Sequence, residues 1–503
     1  MFDIKLPNEG VTIKANEGEV LYDILTREGF IDAPCGGKGV CGKCGVTING
    51  EFYLSCLYQI KEDISVYTAP KAQIGEIVSN GYRGEFAYDC FEKDKFGIAV
   101  DIGTTTLVAT LVDMSNGKEI CSLSKLNSQK SYGQDVITRI HFTLEHKDGL
   151  EILQHTIIGD LQSLLEQLYK ENKVNINQIC RITIGGNTTM IHLLMGANPS
   201  SIAKAPFEPL LKGSVRCKAS DLGLLAADDC ELFCLPSISS FVGGDITAGI
   251  LACNLANVSE KTLFIDIGTN GEIVLSDNGK LSCCSCAAGP ALEGMNISCG
   301  MRAAYGAIED VNIAGEKAFV ETIGKAEPLG VCGSGLLSAI AEMRKNRIIN
   351  KLGRLQCHNL VEMVDGKKVF MICAEEQIYI TQKDIRQVQL AKGAILSGIL
   401  ALLNNAKLEI KDIERVIVAG QFGAHLKAES LTGSGILPFQ WADKIFYAGN
   451  TSQSGAYICL MSEEQCRKSE KVIENIKYIE LSTLKGYEDL FVECLSFEEE
   501  KNE

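Results

Sequence analysis

Polar and apolar residues alternate from the first positions of the chain. Phe2–Leu6 and Val11–Ala15 flank the turn Asn8-Glu9-Gly10, which predicts two short strands. The period then changes: Val20, Leu21, Ile24 and Leu25 follow helical spacing, and Gly29 stands where a helix end takes a left-handed residue. Val46–Ile48 runs into Asn49-Gly50, a hairpin signal, and a closing strand is expected near Ile64–Tyr67. From residue 97 the apolar runs lengthen. Gly97–Ile102, Leu107–Val112, Leu263–Ile267 and Arg415–Ala419 read as buried strands. Leu150, Leu153, Ile157, Leu161, Leu164 and Leu168 form a helical stripe, as do Leu390, Ala394, Ile395 and Ile399. Both helices are expected to serve the core, the second against the strand Arg415–Ala419.

Composition narrows the class. A chain of 503 residues holds several domains, and 46% hydrophobic with 22% charged residues is ordinary for a globular protein. A net charge of −16 disfavours nucleic acid as a partner. Met1-Phe-Asp-Ile-Lys has no secretory pattern, and the apolar stretch Ala394–Leu403 falls short of a membrane span, so a cytoplasmic protein with no membrane partner is expected. The 21 cysteines are odd in number and irregular in spacing, which is not a disulfide framework. Cys283, Cys284 and Cys286, with Cys299, could bind a metal, but a run inside an apolar strand is better read as core.

The densest chemistry is Cys35-Gly-Gly-Lys-Gly-Val-Cys41-Gly-Lys-Cys44-Gly, followed by Cys56. Four thiolates separated by five, two and eleven residues suit a four-cysteine [2Fe–2S] site, and the glycines let backbone N–H groups approach the cluster sulfurs. The same run satisfies G-x-G-x-x-G and most of a Walker loop. Both nucleotide readings fail on context, because a strand rather than a helix follows.

A second chemistry begins at Asp101-Ile-Gly103-Thr104-Thr105-Thr106, a buried strand ending in an acid and a hydroxyl-rich turn. Such a hairpin can wrap phosphates while Asp101 holds Mg²⁺ through water. Asp266-Ile-Gly268-Thr269-Asn270-Gly271-Glu272 repeats the design about 165 residues later, which suggests two duplicated lobes facing a nucleotide cleft. Between them, Gly243-Gly244-Asp245 would open a helix at a hinge. Ala419-Gly420-Gln421 is a strand-to-glycine turn suited to adenine, and Gly449-Asn450 starts a second hinge helix. On this reading Asp101 and Asp266 position Mg²⁺ on ATP and Asp245 orients or deprotonates the attacking water; the competing role for Asp245 is a simple helix cap. The six histidines form no metal signature.

Residues 1–70 resemble the plant-type and adrenodoxin-type ferredoxins, with one extra residue between the first two cysteines and a short return to Cys56. The order of phosphate loop, hinge, phosphate loop, adenosine turn and hinge resembles the ASKHA superfamily of acetate and sugar kinases, Hsp70 and actin. The fold class expected is therefore an α+β, ferredoxin-like β-grasp domain (1–70), a linker (71–96) and a two-lobed α/β, RNase H-like domain. The lobes would span 97–258 and 259–448, with 449–503 returning to the first lobe and ending in an acidic, solvated tail. Together with Ile184-Gly-Gly-Asn187-Thr188, Cys286-Ala-Ala-Gly289 to Glu293, Gly330 to Gly335 and Gln389 to Ile395, these motifs resemble the reductive activators of corrinoid proteins over nearly the whole chain. The resemblance implies an ATP-dependent one-electron reductase that returns a methyltransferase's Co(II) corrinoid protein to Co(I). It implies a low-potential electron donor, leaves a homodimer open, and marks as missing an extra middle domain that some members carry between Cys56 and Asp101. The alternatives are an activator of a radical dehydratase, a small-molecule kinase with a redox-sensing cluster, and a ferredoxin on an inactive scaffold.

Overall fold

The strand β1 (Phe2–Leu6) pairs with β2 (Val11–Ala15) antiparallel, Phe2 opposite Ala15. In this computed structural model residues 1–28, 30, 31, 44–68, 81–420 and 426–497 are described. The chain divides into two units, Met1–Gln73 with Gln129–Arg139, and Ile74–Ser128 with Ile140–Glu503. In the first, the helix α1 (Leu21–Arg27) and the strands β3 (Gly45–Ile48), β4 (Glu51–Leu54) and β5 (Ile64–Thr68) complete a mixed sheet in the order β2-β1-β5-β3-β4. The parallel β1–β5 pair puts Ile4 opposite Ile64. Alternation then does its work: Ile4 and Leu6, Val46 and Ile48, Ile64 and Val66 share a core with Leu21, Ile24 and Leu25 of α1. Gly29 lies outside the described residues.

The second unit contains two six-stranded sheets. One is built from β6 (Phe96–Ile102), β7 (Thr106–Asp113), β8 (Lys118–Leu126), β9 (Ile179–Gly186), β10 (Gly213–Lys218) and β11 (Glu231–Ser237), in the order β10-β11-β9-β6-β7-β8. The other uses β12 (Thr262–Ile267), β13 (Gly271–Asp277), β14 (Lys280–Cys286), β15 (Arg415–Ala419), β16 (Ile445–Gly449) and β17 (Lys477–Tyr478), in the order β16-β15-β12-β13-β14-β17. The two share a plan. In each, an antiparallel hairpin (β6–β7, β12–β13) has a parallel neighbour (β9, β15) on the far side of its first strand.

The helices that frame the two sheets include α2 (Gly149–Asn172), α3 (Thr188–Leu194), α4 (Gly244–Ala252), α5 (Gly333–Lys345), α6 (Gln382–Ala406), α7 (Thr451–Met461), α8 (Glu463–Asn475) and α9 (Tyr487–Cys494). Between the sheets α4 and α7 cross in contact. A Cβ on Gly455 would lie 2.4 Å from Ala248, so only glycine permits this approach. The helix α6 is long and apolar enough to span a membrane by length and composition, but 78% of its most apolar window is buried in the core. It lies over β13 and β14, where Gly398 faces Ile273 and Cys284, rather than against β15 as its stripe suggested.

One expectation is corrected here, and the core reading of the cysteine run is met. The last segment is not a plain return to the first lobe. After α7 and α8, Lys477–Tyr478 pairs with β14 of the second sheet and α9 packs on α6. Buried Lys392 donates to the carbonyls of Cys494 (2.6 Å) and Ser496 (2.9 Å), and Phe497 is buried. The acids beyond Phe497 lie outside the described residues. Cys283, Cys284 and Cys286 are all buried in β14, and the strand's alternation sends Cys283 to one side of the sheet and the other two to the opposite side. They cannot share a metal.

Candidate functional site

The carboxylates stand where strands end. In β6 the β-branched run stops at Asp101 and Ile102, and the chain turns tightly through Gly103, Thr104 and Thr105 to Thr106, with Gly103 N donating to Thr106 O at 2.9 Å. Asn127 Nδ2 donates to Gly103 O (2.9 Å) and Asn187 Nδ2 to Thr104 Oγ1 (3.0 Å), fixing the turn from two sides. The second hairpin repeats this. After Asp266, Gly268 N donates to Asn270 O (2.9 Å), Gly271 opens β13, and Gly289 N donates to Thr269 O (2.8 Å). The Thr269 hydroxyl is hydrogen-bonded to Glu293.

The hinge helices supply the rest. Asp245 sits in the first turn of α4, where Gly243 is the N-cap, so Asp245 is not itself the cap. A Cβ on Gly243 would meet Asn187 Cα at 2.5 Å and Asp245 Oδ1 at 2.8 Å, which brings α4 against the N-cap of α3, the residue that holds Thr104. At the start of α7, Asn450 Oδ1 accepts from Gln453 N (2.9 Å), while its Nδ2 donates to Asp101 Oδ2 (2.9 Å). Ser452 Oγ donates to Asp101 Oδ1 at 2.6 Å. Gly420, with φ 89°, turns close to Asp266: a Cβ there would lie 2.6 Å from Oδ1. Gly449, with φ 65°, precedes the cap in the same left-handed region. Gln421 lies outside the described residues.

Asp101, Asp245 and Asp266 thus line one cleft, and Glu272, opposite Asp266 across the β12–β13 pair, joins them. Burial raises all four carboxyls. Asp245 is pushed up to about 7 by burial, then by Asp266 and Asp101, and Asp266 to about 7 by burial and Asp101. Glu272 is raised well above the usual range by burial, then by Asp245 and Asp266. Burial also raises Asp101, against the hydrogen bonds from Ser452 and Asn450. Oxygen-rich, partly dehydrated and mutually repelling, such a group suits a hard divalent cation carried by phosphates. Sequence reasoning missed Asn187, Ser452, Glu272 and Glu293 as members. The signal was present, since each lies inside a glycine-rich motif, but spacing alone could not separate cleft residues from turn residues.

Two of the four sequence-predicted cluster ligands are described. Cys44, buried at the start of β3, and Cys56, in the turn Ser55–Leu57, are joined by Ser55 N donating to Cys44 O at 2.9 Å. Their sulfurs are 3.1 Å apart, beyond the roughly 2.05 Å of a disulfide. Two thiols brought together in this way fit a shared metal centre. Cys35 and Cys41 lie outside the described residues.

The segment 81–92, expected to be a linker, is fastened to β16, to the C-terminal ends of the two hinge helices and to the start of α8. Tyr82 N donates to Ala448 O (2.7 Å), Gly84 N to Ala252 O (2.8 Å), and Asp89 N and Cys90 N to Met461 O (3.1 and 3.2 Å). The Asp89 carboxylate caps α8, accepting from Glu463 N (2.6 Å), Glu464 N (3.1 Å) and Ser462 Oγ (2.9 Å). A Cβ on Gly81 would meet Asn450 O at 2.3 Å.

Two family models match in tandem: "RACo middle region" over residues 96–258 and "C-terminal domain of RACo the ASKHA domain" over residues 260–503. The region that family terms its middle is thus matched here by the first lobe. The chain is 28% identical over 564 aligned positions to the corrinoid activation enzyme RamQ of Eubacterium limosum, covering 94% of this chain and 95% of that protein. It is 26% identical to a [Co(II) methylated amine-specific corrinoid protein] reductase of Methanosarcina barkeri, covering 71% and 68%. Among solved structures, a reductive activator for corrinoid, iron-sulfur protein superposes with a TM-score of 0.73 at 28% identity, over 99% of this chain and 98% of that one.

Proposed function

The chain belongs to the reductive activators of corrinoid proteins, and from that premise we propose that it is an ATP-dependent one-electron reductase. Its substrate is the Co(II) corrinoid of a methyltransferase's corrinoid protein, which it returns to Co(I). The observation that carries this reading is the convergence of Asp101, Asp245, Asp266 and Glu272 at the crossing of two hinge helices, in a chain aligned with such enzymes over 94% of its length.

In this mechanism Asp101 and Asp266 hold Mg²⁺ on the phosphates of ATP, and the threonines and backbone N–H groups of the two turns take the phosphate oxygens. Asp245 orients the attacking water and receives its proton. Gly420 and Gly449, with Gln421, leave room for the adenosine. Phosphates drawn between the two turns favour closure about α4 and α7, and segment 81–92, hydrogen-bonded beside both helices, shifts with them.

Cys35, Cys41, Cys44 and Cys56 would hold a [2Fe–2S] cluster. The meeting of Cys44 and Cys56 supports this, as does the sheet order β2-β1-β5-β3-β4 with one helix across it, the layout of a ferredoxin-like β-grasp. When bound, such a cluster supplies one electron near roughly −400 mV. An acceptor about 120 mV lower would cost roughly 2.8 kcal/mol, at about 59 mV per decade. A nucleotide-coupled change of conformation can meet that demand. The cytoplasm is the compartment proposed, and the absence of disulfides among the described cysteines is in keeping with it.

The test is cobalt(I) absorbance from a cob(II)alamin-loaded partner protein given a low-potential reductant. Mg-ATP should raise the yield severalfold, and Asp245→Asn should remove the ATP-dependent part. An equal yield without nucleotide overturns the coupling. Iron content should be two per chain, and Cys56→Ser should abolish the cluster's absorption.

A further inference from the structure

Behind the hinge, at the end of α4 away from Asp245, the second unit contains a cavity of about 740 Å³. Ile250 and Leu251 of α4, with Asn254 just beyond it, form one wall, the β13–β14 turn a second, and α8 a third. Its floor is apolar: Ile250, Leu281 and Val472 are buried side chains. Its rim is cationic. Lys280, Lys468, Lys471 and Lys477 line it, against Asp277 as the sole carboxylate. Lys468 pairs with Glu464 (2.9 Å) and Lys477 donates to Asn405 (2.9 Å), while Lys280 and Lys471 have no carboxylate partner among the described residues. Four cations around one concavity run against a chain whose net charge is −16.

We propose that this cavity is a binding site for a small amphipathic organic anion. Its apolar body would lie on the floor, and its carboxylate, sulfonate or phosphate at Lys280 and Lys471. The volume falls within the roughly 300–1,000 Å³ of small-molecule sites, which combine apolar walls with a few placed polar groups. The position gives the site leverage. The walls from α4 and α8 pack on the first sheet and also share a core with Phe264, Val274 and Leu281 of the second, to which the β13–β14 wall belongs, so an occupant touches elements of both lobes. Because α4 carries Asp245 at its other end, the occupant and Mg-nucleotide bias the same hinge, and each must change the other's affinity by the same factor.

The probe is anilinonaphthalene sulfonate, an aromatic anion that fluoresces when bound, titrated into the full chain. Saturable binding should weaken at least ~10-fold in Lys280→Glu/Lys471→Glu, and also in Asn475→Trp, whose exposed site lets the ring fill the mouth. Saturating Mg-ADP should shift the probe's affinity, and this shift should vanish in both variants. Unchanged affinity in the charge-reversal variant overturns the proposal. So does loss in Asn475→Trp alone, which would mark an apolar hole without preference for anions. Displacement by a glutamate-rich peptide but not by a small aromatic carboxylate would reassign the groove to a protein partner. Binding is read without turnover, so a failure of the reductase reading leaves this test standing.

Discussion

At Asn450 two demands meet on one side chain. Its oxygen caps α7 through Gln453 N, and its amide holds Asp101. Removing the cap costs about 1 kcal/mol in helices generally. Asn450→Ala should therefore lower both thermal stability and ATPase rate, whereas Ser452→Ala, which removes one bond to Asp101 but no cap, should lower the rate and spare the melting temperature. Equal stability losses in the two variants would contradict the assignment. His192 is buried, and both its ring nitrogens are committed. Nδ1 must donate to Thr188 O (2.7 Å) and Nε2 accepts from Leu211 N (3.1 Å), so the ring is neutral, and burial lowers its pKa. The unfolded chain therefore takes up a proton more readily below about 6.5, and this contribution is present above that value and lost as pH falls. A urea midpoint falling from pH 7 to pH 5 more steeply in the wild type than in His192→Gln is the expected result. At this scale the sequence was informative for Asp101, Asp245 and Asp266, each ending a strand or opening a helix beside glycine. Ser452 and Asn187 lie in glycine-rich motifs, but their roles arise from contacts 351 and 83 residues away along the chain, which the motifs alone do not specify.

Elements were more legible than residues. Both strand-turn-strand phosphate hairpins, both hinge helices and the adenosine strand stand where period and punctuation placed them, because long buried strands and glycine breaks are local signals. The connector was not legible. Residues 81–92 are polar and mixed, and what fixes them is external: backbone carbonyls at Ala448, Ala252 and Met461, and the α8 N-terminus that Asp89 caps. A segment tied to the hinge at four places should carry the hinge's movement along the chain. Asp89→Ala cuts one tie far from the carboxylate cleft. ATP hydrolysis should stay near the wild-type rate while cobalt(I) formed per ATP falls severalfold. If the two fall in proportion, the connector is only a structural strap. The plain return of the last segment to the first lobe failed as a prediction for a related reason. The acids Glu488, Asp489 and Glu493 of α9 face solvent, but Cys494 and, beyond the helix, Phe497 turn inward, and the buried ammonium of Lys392 binds the carbonyls there.

For the molecule as a whole, the cleft gathers carboxylates that either protons or a cation must neutralise. Asp245 and Asp266, raised to about 7 by burial and mutual repulsion, are partly protonated at neutral pH without nucleotide. Groups raised in the folded state bind protons there that the unfolded chain releases above about 4, so the nucleotide-free protein loses stability as pH rises toward 7 and beyond. Mg-nucleotide needs the ionised carboxylates, so binding must expel those protons. Calorimetry of Mg-ADP binding at pH 7, in buffers of different ionisation enthalpy, should report release of about one proton per chain. The dissociation constant should tighten from pH 6 to pH 8. Asp266→Asn should raise the melting temperature of the nucleotide-free protein at pH 8 more than at pH 5, and should reduce the proton release. Binding independent of both pH and buffer would mean that the carboxylates are already ionised in the open cleft. The lobes would then close without the charge relief that couples nucleotide to the hinge.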